Sequence, residues 1–214
     1  MKVAVIGANG QVGQHLVRML KQDSSHDVVA LVRKKEQLEK LSAQGVNACL
    51  VDLTKEVADI QSALTGVDGV IFAAGSGGDT DSDMTLRIDL DGAVKSMEAA
   101  ELAGVKRFVI VSALQAHNRE FWHPDITPYY VAKHYADREL MRSDLQYTIV
   151  RPGLLTNDDA TGKVKTAADI TEGEISRADV AAVVVELLDK PNTVGKAFDL
   201  VGGDTDIAKA VSLI

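Results

Sequence analysis

Three glycines, Gly7, Gly10 and Gly13, follow directly on the apolar run Val3-Ala4-Val5-Ile6 and constrain this chain more than any other feature. Such a run suits a strand buried on both faces, the habit of parallel sheets covered by helices on each side. Gly7 permits a sharp turn out of the strand, Gly10 lets the main chain approach a pyrophosphate, and Gly13 lets the next helix pack against the sheet. That helix, expected over residues 11–21, points its N-terminal amides at the same place, where its dipole favours negative charge. Asn9, Gln11 and Val12 are candidate contacts beside the glycines. The spacing Gly-x-x-Gly-x-x-Gly is one residue off the general dinucleotide fingerprint, and no Gly-Lys-Ser/Thr ending makes it a nucleoside-triphosphate loop. A purely structural glycine turn is the competing reading; the position after a first strand favours the dinucleotide.

The next segments extend the pattern. Residues 27–32 read as a second buried strand ending at Arg33-Lys34-Lys35. An acidic residue at this place holds a ribose 2′-hydroxyl, whereas a basic one accommodates a 2′-phosphate. Arg33 with Lys34 beside it therefore argues for NADP(H) over NAD(H), against the alternative that these charges only open a solvated helix over 34–41. A third strand is expected over 45–53; Asp52 at its end either accepts from an adenine amino group or caps a helix near 56–64. Residues 69–74 form a fourth strand running into Gly75-Ser76-Gly77-Gly78, either a small-residue bed for a ribose or a flexible loop. Asp79, Asp81 and Asp83 read as a solvated loop, since nothing completes a metal ligand set.

The region 89–103 shows helical apolar spacing at Ala93, Met97 and Ala100. A fifth strand, 107–113, ends near Ser112, and strand ends are where reactive groups meet ligands. After a loop bearing His117, Asn118, Phe121, Trp122 and His123, Thr127 reads as a cap and Pro128 as the first residue of a helix to about Arg142. Tyr129 then falls in the first turn with Lys133 one turn on. Further strands at 146–150 and 197–201, and a helix near 177–189, complete an α/β doubly wound parallel sheet, with a polar segment around Gly162 and Gly173.

Ser112, Tyr129 and Lys133 make one chemical constellation. A phenol protonates a carbonyl oxygen well when its pKa falls from about 10 toward neutrality. The ammonium and the helix N-terminus both push it that way. Ser112 would hold the substrate oxygen. His117, His123 and His134 are acid or base candidates, though solvent-facing histidines are commoner. Trp122 reads as a lid or as loop packing.

The glycine loop, the strand-end Ser112, Tyr129-x-x-x-Lys133 and Arg151-Pro152-Gly153 resemble the short-chain dehydrogenase/reductase superfamily. Residues 175–181 and Gly195-Lys196-Ala197-Phe198 are similar to its atypical NAD(P)H-binding, epimerase/dehydratase-like branch. The resemblance covers about residues 1–203 and implies a Rossmann fold. It implies Tyr129 as general acid/base, Lys133 on the nicotinamide ribose, Ser112 orienting substrate, and Arg33 at a 2′-phosphate. It further implies that Asp52 and Leu53 flank adenine, Ala73, Ala74 and Gly75 lie under the cofactor, and Pro152 and Gly153 border the nicotinamide. Two departures stand out. The stretch between Ser112 and Tyr129 is long enough to fold as a lid or displace the serine, and Tyr130 offers a second phenol.

Composition narrows the function. A net charge of -8 with no basic block argues against nucleic acid. No apolar run reaches the ~18 residues of a membrane helix, and a first segment that is already strand leaves no leader. Cys49 is the only cysteine, which excludes an internal disulfide and makes a reducing, cytoplasmic setting the default; a buried inert thiol is its expected state. The chain is thus expected to be one NAD(P)-binding domain over residues 1–214, with a small substrate-side portion at about 154–214, monomeric or homodimeric. It is expected to reduce a small carbonyl, quinone-like or flavin-like acceptor with NADP(H). Sugar epimerase/dehydratase and non-catalytic redox sensor are the alternatives.

Overall fold

The computed structural model describes residues 1–78 and 80–214, so Asp79 lies outside the described residues. Strands and helices alternate: β1 (Lys2–Ile6), α1 (Gln11–Gln22), β2 (Asp27–Val32), α2 (Lys35–Ala43), β3 (Asn47–Leu50), α3 (Val57–Ala63) and β4 (Gly69–Phe72). Then come α4 (Ser82–Thr85), a π-helical segment (Leu86–Gly92), α5 (Ala93–Leu102), β5 (Arg107–Val111), α6 (Thr127–Leu140) and β6 (Gln146–Pro152). The rest is β7 (Leu154–Thr156), β8 (Lys163–Ala167), β9 (Glu174–Ser176), α7 (Arg177–Glu186), β10 (Lys196–Gly202), β11 (Thr205–Asp206) and α8 (Ile207–Ser212).

Nine strands form one sheet in the order β11-β8-β10-β6-β5-β4-β1-β2-β3. It is parallel from β3 to β10, and β8 and β11 close the far edge with antiparallel pairings. Alternation along each strand sends side chains to opposite faces. Val3 and Val5 join Leu16 and Leu20 of α1, Val183 and Leu187 near α7, and Val211 of α8 in one core. Ala4 and Ile6 join Ile60 of α3, Met97 and Ala100 of α5, and Ala136 and Leu140 of α6 in the other. The result is a Rossmann-like sheet with helices on both faces. Among the described residues, no helix is long and apolar enough to cross a membrane.

The structure corrects several local expectations. The polar segment around Gly162 and Gly173 holds β7, β8 and β9, of which β7 and β9 pair as a separate parallel ribbon. Their short, mixed sequences carry no periodic signal. The stretch 89–103 begins inside a π turn, with Asp81 capping the preceding helix by accepting from Met84 N at 3.0 Å. Thr127 is not the cap of α6. Its hydroxyl donates to Pro124 O at 2.9 Å, because a 3-10 turn over Pro124–Ile126 already leads into the helix. Cys49 is only partly buried, since β3 is an edge strand.

Two glycines in the first loop have different structural duties. A Cβ on Gly13 would stand 2.1 Å from Gly7 O and 2.9 Å from Ala8 Cα, both backbone atoms that cannot step aside. On Gly10 the nearest atom would be Gly7 O at 3.2 Å. Gly13→Ala is therefore expected to lower stability by about 2 kcal/mol or more, and Gly10→Ala by less than about 1 kcal/mol. Urea unfolding of the two variants beside wild type measures the contrast, and equal losses would contradict it.

Candidate functional site

Between β1 and β4 the chain order reverses, and in sheets of this kind a crevice opens beyond the strand ends at that point. One side of it is lined by Ile6, Gly7, Asn9 and Gly10 at and after the end of β1, Val32 and Arg33 at and after the end of β2, Gln37 of α2, and Val51 and Leu53 after β3. The segment Ala73–Ser76 forms its floor. Across that floor the crevice widens into a chamber of about 560 Å³ bounded by Val12, Asp89, Ser112, Tyr129, Lys133 and Leu155.

The crevice end of α1 presents free backbone amides at a glycine-lined turn. Gly7 takes φ +87°, and a Cβ there would lie 2.6 Å from the Ala74 backbone, so the loop and the floor touch main chain to main chain. Gly10 is the N-cap of α1 without a side-chain hydrogen bond, and the first turn holds no acidic residue. The helix dipole is thus uncompensated by the protein itself. Arg33 is exposed at the rim.

Other candidates fall elsewhere. Gln11 is exposed outside the lining, and Gly13 is buried beneath it. Lys34 faces solvent, its backbone N–H donating to Gln37 Oε1 at 3.1 Å. Asp52 neither lines the crevice nor caps α3, whose N-cap is Glu56. It accepts from Thr54 N at 2.9 Å and Thr54 Oγ1 at 2.8 Å, and the Thr54 N–H chiefly holds its pKa below the usual carboxylate range. Pro152 and Gly153 are buried at the end of β6, outside the lining. A Cβ on Gly153 would stand 2.2 Å from Gly173 O, so close packing of two chain segments demands that glycine.

Ser112, Tyr129 and Lys133 do converge in the chamber. Ser112 is 3% exposed, and its Oγ has no hydrogen-bond partner among the described residues, with the Asp137 carboxylate nearby. Lys133 Nζ donates to Val111 O at 2.9 Å and lies 3.8 Å from Asp89 Oδ1, 5.8 Å from the Tyr129 ring centre. The phenol departs from the expected depression. Burial first, then the charge of Asp89, then Tyr130 and Asp137, hold its pKa well above the ordinary tyrosine value. Lys133 does not reverse this, since Asp89 offsets its charge.

Tyr130 turns away to stack on Trp122, ring centres 5.9 Å apart and planes 10° from parallel. Trp122 packs rather than lids: its Nε1–H donates to Ala116 O at 3.3 Å, and Asp125, Ile126 and Pro128 bring this loop to the chamber. His117 and His123 are exposed, but His134 is buried, bonded through Nδ1 to Ala116 O at 2.8 Å, and burial lowers its pKa. Behind the site, Asp137 and Arg151 form a buried ion pair at 2.9 Å. Sequence reasoning missed Asp89. It is 1% exposed, and its Oδ2 accepts from Ser76 N at 2.9 Å, so one carboxylate holds both the crevice floor and the lysine. Gln37 and Leu155 were missed as well.

A family model described as NAD(P)H-binding matches residues 7–191. A Bacillus subtilis protein called the sugar epimerase YhfK, itself uncharacterised, is 54% identical over 99% of both chains. A Bacillus halodurans structure assigned only provisionally as an NAD-dependent epimerase/dehydratase is 42% identical and superposes with a TM-score of 0.94 over 100% of both chains. Reductases also match. Quinone oxidoreductase 2 of Escherichia coli K12 is 26% identical over 94% of this chain and 68% of its own. ChuY of E. coli O157:H7, described as an anaerobillin reductase, is 26% identical with a TM-score of 0.80 over 96% of this chain and 99% of its own. With the glycine loop, the switch-point crevice and these matches together, the chain belongs to the NAD(P)H-binding family.

Proposed function

We propose that this protein is an NADP(H)-dependent reductase of a small carbonyl, quinone-like or flavin-like acceptor. The observation that carries the reading is the partly buried Tyr129 phenol sharing one chamber with Ser112 and Lys133, a chamber that shares its floor Ala73–Ser76 with the glycine-loop crevice. In this reading the α1 N-terminus, with Gly7, Gly10 and the floor Ala73–Ser76, binds the pyrophosphate side of the dinucleotide, and Arg33 its 2′-phosphate. The bound cofactor supplies the hydride. The chain's own groups do the rest: Ser112 Oγ–H orients the acceptor oxygen and Tyr129 donates a proton to it. Lys133 fixes the floor through Asp89 and presents its ammonium toward the ribose. The portion after residue 153 supports a small acceptor, because β8, β10 and β11 are spent completing the sheet and Leu155 is its one side chain in the chamber lining.

The name of the 54% identical relative favours a second reading, sugar epimerisation. That reaction opens with removal of a hydroxyl proton, which asks the phenol to ionise between two buried carboxylates. In the reductive direction the phenol starts protonated but leaves the same phenolate once its proton has passed to the acceptor oxygen, so the raised pKa does not separate the two readings.

NADPH oxidation by the purified protein across quinones, flavins, dicarbonyls and aldehydes tests the proposal. Turnover is expected, falling about 10²- to 10⁴-fold in Tyr129→Phe. Interconversion of a UDP-sugar without net NADPH consumption would establish the epimerase instead. Arg33→Asp is expected to weaken NADPH binding by about 10- to 100-fold while leaving NADH nearly unchanged; equal wild-type affinities for the two would remove the case for NADP(H). A pKa raised above that of a free phenol means the acid form persists as pH rises. Reduction should therefore show no falling kcat/KM limb from Tyr129 below about pH 10, and a limb near pH 7–8 that disappears in Tyr129→Phe would overturn this.

A further inference from the structure

On the α6 side of the sheet, beyond the chamber, two carboxylates are brought together with no basic side chain joined to them. Asp199 of β10 is 0% exposed. Its Oδ2 accepts from Ile170 N at 2.9 Å and Gln115 Nε2 at 3.3 Å, while its Oδ1 has no hydrogen-bond partner among the described residues. The same Gln115 amide donates to Asp169 Oδ1, so one buried side chain clamps both acids. Arg151 opposes Asp199 on the neighbouring strand, but its Nε–H is given to Asp137. A buried carboxylate without a bonded counter-charge is costly.

The missing charge has a place to sit. The imidazole of His117 and the carboxylates of Asp169 and Asp199 present ligand atoms all within 4.8 Å of one another. Donors bound at ~2.0–2.2 Å to a common ion stand about 3–4 Å apart. His117 and Asp169 are both exposed, so small side-chain adjustments there can close the difference. One imidazole nitrogen with two carboxylates suits a borderline divalent ion better than magnesium or calcium, which favour all-oxygen shells.

We propose that His117, Asp169 and Asp199 form a binding site for a divalent transition metal of the zinc or manganese class. Asp199 is the ligand that the fold has already dehydrated, and one of its two oxygens has no hydrogen-bond partner among the described residues. An ion here would join three separate pieces of chain: the loop leaving β5, the segment after β8, and β10. That loop continues to Asp125 and Ile126 at the chamber wall, so the metal would brace one side of the entrance. The site needs no dinucleotide and is independent of the reductase reading.

Titration of the EDTA-treated full-length protein with Zn²⁺ and with Mn²⁺, by calorimetry and thermal unfolding without cofactor, tests it. One ion per chain is expected, with a melting temperature that rises with metal concentration. His117→Ala and Asp169→Asn alter exposed side chains and should stay folded by circular dichroism, while each weakens binding by more than about tenfold. A wild type that takes up neither ion would overturn the site, as would variants that bind as tightly as wild type.

Discussion

Main chain pressed against main chain at the reversal point of the sheet is the contact on which this molecule depends. Gly13 lies on the Gly7 carbonyl and Gly7 lies on Ala74, in each case closer than any side chain would allow. This fixes α1 against β1 and β1 against the segment leaving β4, so one helix N-terminus and one strip of floor face each other across a narrow crevice. Dense packing of this sort has two states, seated or displaced, with little between. The aim of the helix amides is therefore set by the core rather than by any side chain.

Charge is managed behind the chamber in the same economical way. Lys133 and Asp89 face each other at 3.8 Å, both almost fully buried, and Arg151 holds Asp137 at 2.9 Å. Buried pairs of this kind contribute little net stability, because desolvation consumes most of their attraction. They do fix geometry. Ser112 and Tyr129 are set among them, the serine hydroxyl beside the Asp137 carboxylate and the phenol with its pKa pushed upward, chiefly by burial.

Most of the scaffold was legible in the residues. Unbroken apolar runs such as Val3–Ile6 and Phe108–Val111 can only be interior strands, and glycine spacing marks where the chain must turn and touch itself. The convergence of Ser112, Tyr129 and Lys133 followed from strand ends and one helical turn. Facts that join distant segments were hidden. Asp89 looks like a polar position on an amphipathic helix until the π turn swings it under Ser76. The upward push on the Tyr129 pKa was hidden, because the sequence shows Lys133 one turn along the same helix, whereas burial comes from the packing and the opposing carboxylates from Asp89 and from Asp137, two turns along α6. Gly153 read as a cofactor neighbour, yet Gly173, twenty residues later in an apparently structureless stretch, accounts for it. The strands β7 and β9 are three residues each and exist only by pairing with one another.

The π segment Leu86–Gly92 also says something about how this architecture can drift. A π turn is an α-helix carrying one residue too many, held by what its displaced side chains touch. Losing one residue from that segment would restore a regular α-helix and remove the wide turn that holds Asp89 in its present place. Asp89 would then leave both Lys133 and Ser76 at once. Substitution can sample this region position by position, but length cannot change there without dissolving the floor of the crevice, so a one-residue gap in a descendant sequence would mark the loss of this site more surely than the loss of Tyr129 itself.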